Sequence, residues 1–204
     1  MIAPFLQGFG TGGGLIVAIG AQNAFVLSQG VRRNHHLVIA MLCIFCDAIF
    51  ISAGVIGFGR AISASAILSR LVAWGGAGFL LVYGVGSLRS ALRGGRLDAA
   101  SPSVGSLRAV IIATLAVTLL NPHFYLDTVV LLGSVSSQFQ GESRLFFWTG
   151  AVSASTLWFL SLSLGGQMLA PLFRKPIAWR VLDSLVCATM WTIAGSLILH
   201  GVDV

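Results

Sequence analysis

Six apolar segments, each long enough to cross a lipid bilayer, limit the fold of this chain more than any other feature. A transmembrane helix needs about 20 consecutive apolar residues. Backbone groups inside lipid must pair within their own segment, so such spans are helical. We therefore predict an all-α integral membrane protein with six transmembrane helices, at roughly Ile2–Leu27, Leu37–Phe58, Leu71–Leu92, Ala109–Gly133, Leu145–Ala170 and Val181–Val202.

The composition supports this prediction and excludes a soluble domain. Charged residues make up 9% of the chain, against roughly 25% in an average soluble domain, and the mean hydropathy is +0.93. A net charge of +6 would suit a nucleic-acid partner, but the Lys and Arg residues lie in short loops between apolar runs. We therefore expect the lipid bilayer as surroundings and no nucleic acid as a partner.

The basic residues predict how the spans are oriented. Six spans place the first, third and fifth loops on one face of the membrane, with the remaining loops and both termini on the other. Basic residues concentrate in the cytoplasmic loops of membrane proteins. Nine of the twelve lie in or beside the first, third or fifth loop: Arg32, Arg33, Arg89, Arg93, Arg96, Arg108, Arg174, Lys175 and Arg180. We therefore predict that these loops are cytoplasmic and that both termini are outside.

A helix break is predicted inside the fourth span, in the stretch TLLNPHFYLD that ends at Asp127. Pro122 has no N–H and clashes with the carbonyl four residues before it, so the helix should stop and restart. Asn121 is a favoured N-cap, which predicts a half-helix whose positive end faces inward. In lipid, such irregular backbone is found only where protein or a water-filled cavity covers it. Broken helices of this kind often form the substrate sites of transporters. The plainer interpretation is a proline kink that only shapes packing.

The two halves of the chain open with related features. The first span carries Asn23 within GAQNAF, the fourth carries Asn121 within LNPHF, and two further spans follow each. Three spans per half place the halves in opposite orientations, as in many secondary transporters. We predict two inverted three-helix repeats with broken helices at Asn23 and at Asn121-Pro122. The repeats cover residues 1–93 and 107–204, joined by a cytoplasmic linker at 94–106, within one membrane domain.

Two carboxylates lie deep in the predicted spans, Asp47 in the second and Asp127 in the fourth. Each costs about 2.5–3.5 kcal/mol at such depth, and every Lys and Arg lies at a span end or in a loop. Without a basic partner, the carboxylates are either protonated or matched by a mobile cation. A cation transporter would use both states in turn, whereas polar packing alone is the plainer interpretation.

Other polar side chains near these positions complete the predicted site. The expected companions of the carboxylates are Gln22, Asn23, Asn121 and Tyr125. The hydroxyls of Ser153, Ser155 and Thr156 are expected to bond their own backbone or a neighbouring helix, as hydroxyls in membrane helices commonly do.

The cysteines and histidines suggest no metal or cofactor. Cys43 and Cys46 form a CxxC motif inside the second span, which leaves a membrane thiol relay as an alternative function. A buried cysteine more often packs as a small apolar residue. The four histidines show no zinc-ligand spacing. We predict neither a metal, a cofactor nor an enzyme activity.

Five stretches follow one another in a characteristic order: GAQNAFVLSQGVRR, CDAIFISAG, WGGAGFLLVYG, TLLNPHFYLD and SASTLWF. Together they resemble the LysE/ArgO family of lysine and arginine exporters, over nearly the whole chain. Ala21 stands where the family usually has Pro, and Leu119 where Trp is usual. By motif position, the resemblance marks Gln22, Asn23, Asp47, Asn121, Pro122 and Asp127.

The resemblance implies an exporter in the bacterial cytoplasmic (inner) membrane, with L-lysine or L-arginine as substrate. The substrate carboxylate would then meet the half-helix N-termini near Asn23 and Asn121, and its cationic side chain would pair with Asp47 and Asp127. Moving a positive charge out of an inside-negative cell costs about 2.3 kcal/mol per 100 mV, so exchange with protons is expected. Export of another amino acid or of a cation stays an alternative, and Gly-rich helix faces allow a homodimer.

Overall fold

The computed structural model describes residues 2–17, 20–57, 66–93, 106–170 and 176–200, and every regular element within them is helical. The first half contains α1 (Ile2–Ile16), α2 (Ala21–Val31), α3 (His36–Ile56) and α4 (Ala66–Arg93). The second half contains α5 (Leu107–Leu119), α6 (Pro122–Tyr125), a π-helical turn (Leu126–Leu131), α7 (Leu132–Ser136), α8 (Glu142–Leu169) and α9 (Pro176–His200). The all-α prediction is confirmed for these residues. Residues 94–105 of the predicted linker and the C-terminal residues 201–204 lie outside them.

The first predicted broken helix consists of α1 and α2, whose axes differ by 81°. Gly20 precedes α2 in an extended conformation, with φ −134° and ψ 174°. The break therefore ends just before Ala21, slightly earlier in the chain than the predicted position at Asn23. Asn23 lies instead in the first turn of α2. The bend forms although Ala21 occupies the position where a proline would impose it.

The second broken helix consists of α5 and the segment from His123 to Ser136, whose axes differ by 68°. The helix α5 ends at Leu119, and α6 begins at Pro122. The π-helical turn follows α6 directly, and the N–H of Leu132 donates to the carbonyl of Asp127 five residues earlier. A π-turn inserts one extra residue into a helical turn and occurs often at functional sites.

The helix α8 packs along the first three helices of the chain, α1, α2 and α3, while α4 packs mainly against α9. Close approach of α3 to α7 and the π-helical turn depends on glycine. A Cβ added at Gly54 would lie 2.7 Å from the backbone oxygens of Thr128 and Val129, and one at Gly133 would lie 2.7 Å from that of Gly54. Small residues therefore bring these backbones into contact, as is typical of helix packing in lipid.

The described helices account for several membrane spans by length and composition. The helices α3 and α8 are each long and apolar enough to cross a bilayer, and the total reaches four if each bent pair counts as one span. The helices α4 and α9 contain 28 and 25 residues, which is the length that two further spans require. The count of six spans therefore stays a prediction.

Candidate functional site

A cavity of about 290 Å³ lies where the two helix breaks meet α3 and α9. It collects five of the six side chains that the sequence predicts for substrate binding, all except that of Tyr125. Its lining residues are Leu15, Ile16, Gly20, Gln22, Asn23, Asp47, Asn121, His123, Phe124, Asp127, Thr128 and Ile193. Two of these carry carboxylates, and no Lys or Arg of the described residues lines the cavity.

Asp47 is the deeply buried carboxylate of the cavity, with 2% of its surface exposed. The hydroxyl of Ser155 on α8 donates a hydrogen bond of 2.5 Å to its Oδ2. Sequence reasoning missed this partner, because it expected the hydroxyls of this span to bond backbone or another helix without reaching the site. Thr156 does bond the carbonyl of Val152, at 2.8 Å. Ser155 therefore fixes the orientation of one carboxylate oxygen.

Asp127 is the shallower carboxylate and lies half-buried in the π-helical turn. His123 precedes it by four residues and also lines the cavity. Side chains four residues apart share one face of a helical segment. Sequence reasoning considered the histidines only as zinc ligands and did not place His123 at this site, although its spacing from Asp127 was visible. The imidazole of His123 is exposed, so this side of the cavity reaches the protein surface.

Two amide side chains on α2 tie the first helix break to its surroundings. The Nδ2 of Asn23 donates to the carbonyl of Ile16, the last residue of α1, at 2.8 Å. The indole N–H of Trp158 donates to Oδ1 of Asn23 at 3.2 Å. Gln22 donates from Nε2 to the hydroxyl of Thr118 on α5 at 3.1 Å. Asn23 therefore connects the backbone at the end of α1 to Trp158 of α8 across the first helix break.

The two half-helix N-termini at the cavity differ in their capping. Asn121 accepts at Oδ1 from the N–H of His123 and at its carbonyl from that of Phe124, each at 3.1 Å. Pro122 has no N–H, and the N–H groups of His123 and Phe124 already donate to Asn121, so the start of α6 offers no donor to a substrate. At α2, by contrast, Gly20 provides no side-chain cap. This differs from the expectation that both N-termini offer free donors to a substrate carboxylate.

Tyr125 supports the second break from outside the cavity. Its hydroxyl donates to the carbonyl of Leu119 at 2.7 Å, which satisfies an acceptor that the end of α5 leaves unpaired. Its ring packs against those of Phe50 and Phe124, with centroids 5.3 and 5.6 Å away. The structure thus places Tyr125 behind Asn121 and Asp127 rather than beside them.

Sequence comparison identifies the family to which this chain belongs. A model of the family described as LysE type translocator matches residues 14–201. The chain belongs to the LysE type translocator family. The resemblance drawn from the five sequence stretches is thereby confirmed over the matched range. A translocator with apolar helices of spanning length is a multi-pass membrane transporter and not an enzyme.

Individual relatives of this LysE-type translocator carry the name arginine exporter protein ArgO. The protein from Salmonella enteritidis PT4 is 46% identical, over 99% of this chain and 96% of its own. The protein from Pectobacterium carotovorum is 45% identical, over 98% of this chain and 99% of its own. The protein from Yersinia enterocolitica is 45% identical over the full length of both chains. No solved structure shows a significant match.

The two thiols of the CxxC motif in this LysE-type translocator lie close to Asp47 in the chain but do not line the cavity. Cys43 and Cys46 are buried and free, three residues apart on α3. Cys43 belongs to the apolar core together with Phe25, Ile39 and Phe159. Within the part of the chain that the structure describes, no group of three or more His, Cys, Asp or Glu side chains is placed to hold a metal ion.

Proposed function

We propose that this chain exports basic amino acids, L-arginine and/or L-lysine, across the bacterial cytoplasmic membrane. The observation that carries the proposal is the cavity at the two helix breaks, which holds Asp47 and Asp127 and is lined by no Lys or Arg of the described residues. A buried carboxylate without a basic neighbour needs a proton or an incoming cation. The names of the relatives, which specify arginine, support a guanidinium as that cation.

In the proposed complex, the cationic side chain of the substrate pairs with Asp47 and Asp127. The substrate carboxylate lies at the N-terminus of α2, because that end has no side-chain cap and borders the cavity through Gly20, Gln22 and Asn23. A helix N-terminus carries a partial positive charge, which attracts a carboxylate. Asn121 then lines the cavity on the side of the second helix break.

Alternating access follows in this proposal from six spans in two inverted repeats, with both termini outside the cytoplasm. Its support is that a bent helix pair opens each half of the chain, α1 with α2 and α5 with α6 and α7. Paired discontinuous helices at corresponding positions mark the substrate site of many inverted-repeat transporters. The cavity lies between these two pairs.

Exchange with protons completes the proposed mechanism. A substrate cation leaves Asp47 and Asp127 toward the outside, and a proton takes its place on one of the carboxylates for the return step. The exchange moves one positive charge in each direction, which removes the cost of about 2.3 kcal/mol per 100 mV that export of a lone cation would meet.

The substrate class is tested with the purified chain in proteoliposomes. Uptake of labelled arginine should be inhibited by unlabelled arginine and lysine and left unchanged by leucine, because leucine offers no cation to the two carboxylates. Inhibition by leucine would indicate an exporter of neutral amino acids, and inhibition by a divalent cation alone would indicate a metal transporter. Empty liposomes and liposomes with the Asp47→Asn variant are the controls.

A membrane thiol relay is the alternative that the CxxC motif suggests, and replacing both cysteines decides it. We expect Cys43→Ala with Cys46→Ala to retain arginine transport within about twofold, since neither thiol lines the cavity and small apolar swaps are tolerated. Transport rate per amount of inserted protein is the measurement. Loss of transport in this variant at normal insertion would favour the relay.

A further inference from the structure

A second polar cluster lies at the opposite end of α2 from the cavity and centres on Asp183 of α9. Asp183 has 1% of its surface exposed. Nη2 of Arg32 lies 2.5 Å from its Oδ1, and the hydroxyl of Ser90 on α4 donates to its Oδ2 at 2.5 Å. The two partners of the ion pair are 151 positions apart in the chain. The cluster therefore joins the segment after α2 to both α4 and α9.

Further polar groups surround the ion pair. Gln29 donates from Nε2 to the hydroxyl of Tyr83 at 3.4 Å, and Asn34 donates from Nδ2 to Oε1 of Gln29 at 2.8 Å. The Oδ1 of Asn34 is buried and has no hydrogen-bond partner among the described residues. This end of the bundle thus contains a buried carboxylate and a spare acceptor, both suited to cationic donors.

The cluster and the cavity lie at opposite ends of α2, and the route along this helix between them is called the path. The 11 residues of α2 correspond to a length of about 16 Å, with Gln22 and Asn23 at the cavity end and Arg32 just beyond the other. On α9, Ile193 lines the cavity and Asp183 lies near the helix start, which gives a similar separation. Buried apolar side chains of α2, including Phe25 and Val26, fill the space between. The cavity is therefore closed toward the cluster.

The ion pair resists simple opening. Removing one partner of a buried ion pair leaves an uncompensated charge and is strongly unfavourable, so a cationic partner stabilises Asp183 in any conformation in which it stays buried. The side chain of Arg32 is about one-third exposed, whereas that of Asp183 is buried, so Arg32 is the partner of the ion pair that reaches the protein surface. A second guanidinium or ammonium that replaced Arg32 would keep Asp183 paired while the path opened.

We propose that Asp183 and Ser90 form a subsite for the guanidinium or ammonium group of the substrate on the cytoplasmic side, and that Arg32 occupies this subsite when the path is closed. The inference rests on the proposed export of basic amino acids. Arg32 presents the same chemical group as arginine, so the exchange preserves the hydrogen bonds of Asp183. Substrate arrival then opens the path, and a neutral amino acid does not.

The two partners of the ion pair are expected to affect apparent affinity in opposite directions. In inside-out membrane vesicles, Asp183→Asn should raise the KM for labelled arginine about tenfold, because the substrate loses its carboxylate. Arg32→Gln should lower the KM several-fold. In the unaltered chain Arg32 competes with the substrate for Asp183, and this competition reduces the fraction of protein that is able to bind arginine. Ser90→Ala should raise the KM by about threefold, and Arg33→Gln is the matched control with an unchanged KM.

A structural ion pair predicts a different result, namely that both substitutions lower the amount or Vmax of the protein and leave KM alone. That outcome, or a rise in KM for Arg32→Gln, would overturn the subsite. If Arg32→Gln fails to insert, Arg32→Lys tests the same point, because a single ammonium competes less well than a guanidinium fork and should give a smaller decrease in KM. Absence of arginine uptake by the unaltered chain would instead overturn the proposed export function.

Discussion

Arginine export should be abolished when either Asp47 or Asp127 is changed to asparagine. Both side chains line the cavity, and no Lys or Arg of the described residues accompanies them there. An amide of the same shape removes the charge that pairs with the substrate and the group that takes up the proton. Truncating one partner of a buried charge pair costs about 2–5 kcal/mol, so export should fall by a factor of roughly 30 or more.

The Asp47→Asn substitution should leave the folding of the protein intact. Asp47→Asn retains an oxygen that accepts from the Ser155 hydroxyl, so the packing of α3 against α8 is preserved. Ser155→Ala should weaken export only in part, because the carboxylate remains. Efflux of labelled arginine from cells, normalised to inserted protein, is the measurement, and Glu142→Gln at the exposed start of α8 is the control. Near-normal efflux from either Asp variant would contradict the proposed site.

Local chemistry made the second helix break predictable. Pro122 lacks an N–H and Asn121 is a good cap, and these two properties alone place the start of α6, where Asn121 bonds the N–H of His123. The depth of Asp47 in an apolar run likewise predicted a buried carboxylate. Both inferences depend on neighbours in sequence and on the bilayer length, so no tertiary information was needed.

Contacts between distant residues were not predictable in this way. The hydrogen bond from Ser155 to Asp47 joins residues 108 positions apart, and nothing local to Ser155 distinguishes it from Thr156. The π-helical turn that carries Asp127 packs closely against Gly54 of α3, which is more than 70 positions away in the chain. The first break was placed at Asn23, yet Gly20 marks its end, because an extended glycine gives a weaker sequence signal than proline.

The structural difference between the two carboxylates bears on how they share a proton and a substrate. Asp47 is buried and oriented by Ser155, whereas Asp127 is half-buried on the side where His123 is exposed. In the proposed exchange, a proton arriving from the surface would therefore meet Asp127 first. The proposed mechanism then divides the roles: Asp127 would exchange its cation for the proton, and Asp47 would hold the cationic end of the substrate within the bundle.

A pH gradient should therefore drive arginine accumulation in proteoliposomes that contain the chain. If one proton exchanges for one singly charged arginine, the exchange is electroneutral, and each pH unit contributes about 1.4 kcal/mol, or a tenfold concentration ratio of arginine at equilibrium. The expected direction is accumulation of arginine in the more acidic compartment. A membrane potential imposed with potassium and valinomycin should leave that ratio unchanged, because no net charge moves.

Labelled arginine at equilibrium, measured at gradients of zero, one and two pH units, tests this coupling. Asp127→Asn should give no accumulation of arginine at any gradient, because this variant is expected to be inactive, whereas Glu142→Gln should accumulate arginine as the unaltered chain does. Accumulation that follows the membrane potential and ignores the pH gradient would show that arginine moves as a lone cation. In that case the carboxylates would bind substrate without exchanging it for a proton, and export would need a steep outward gradient of arginine itself.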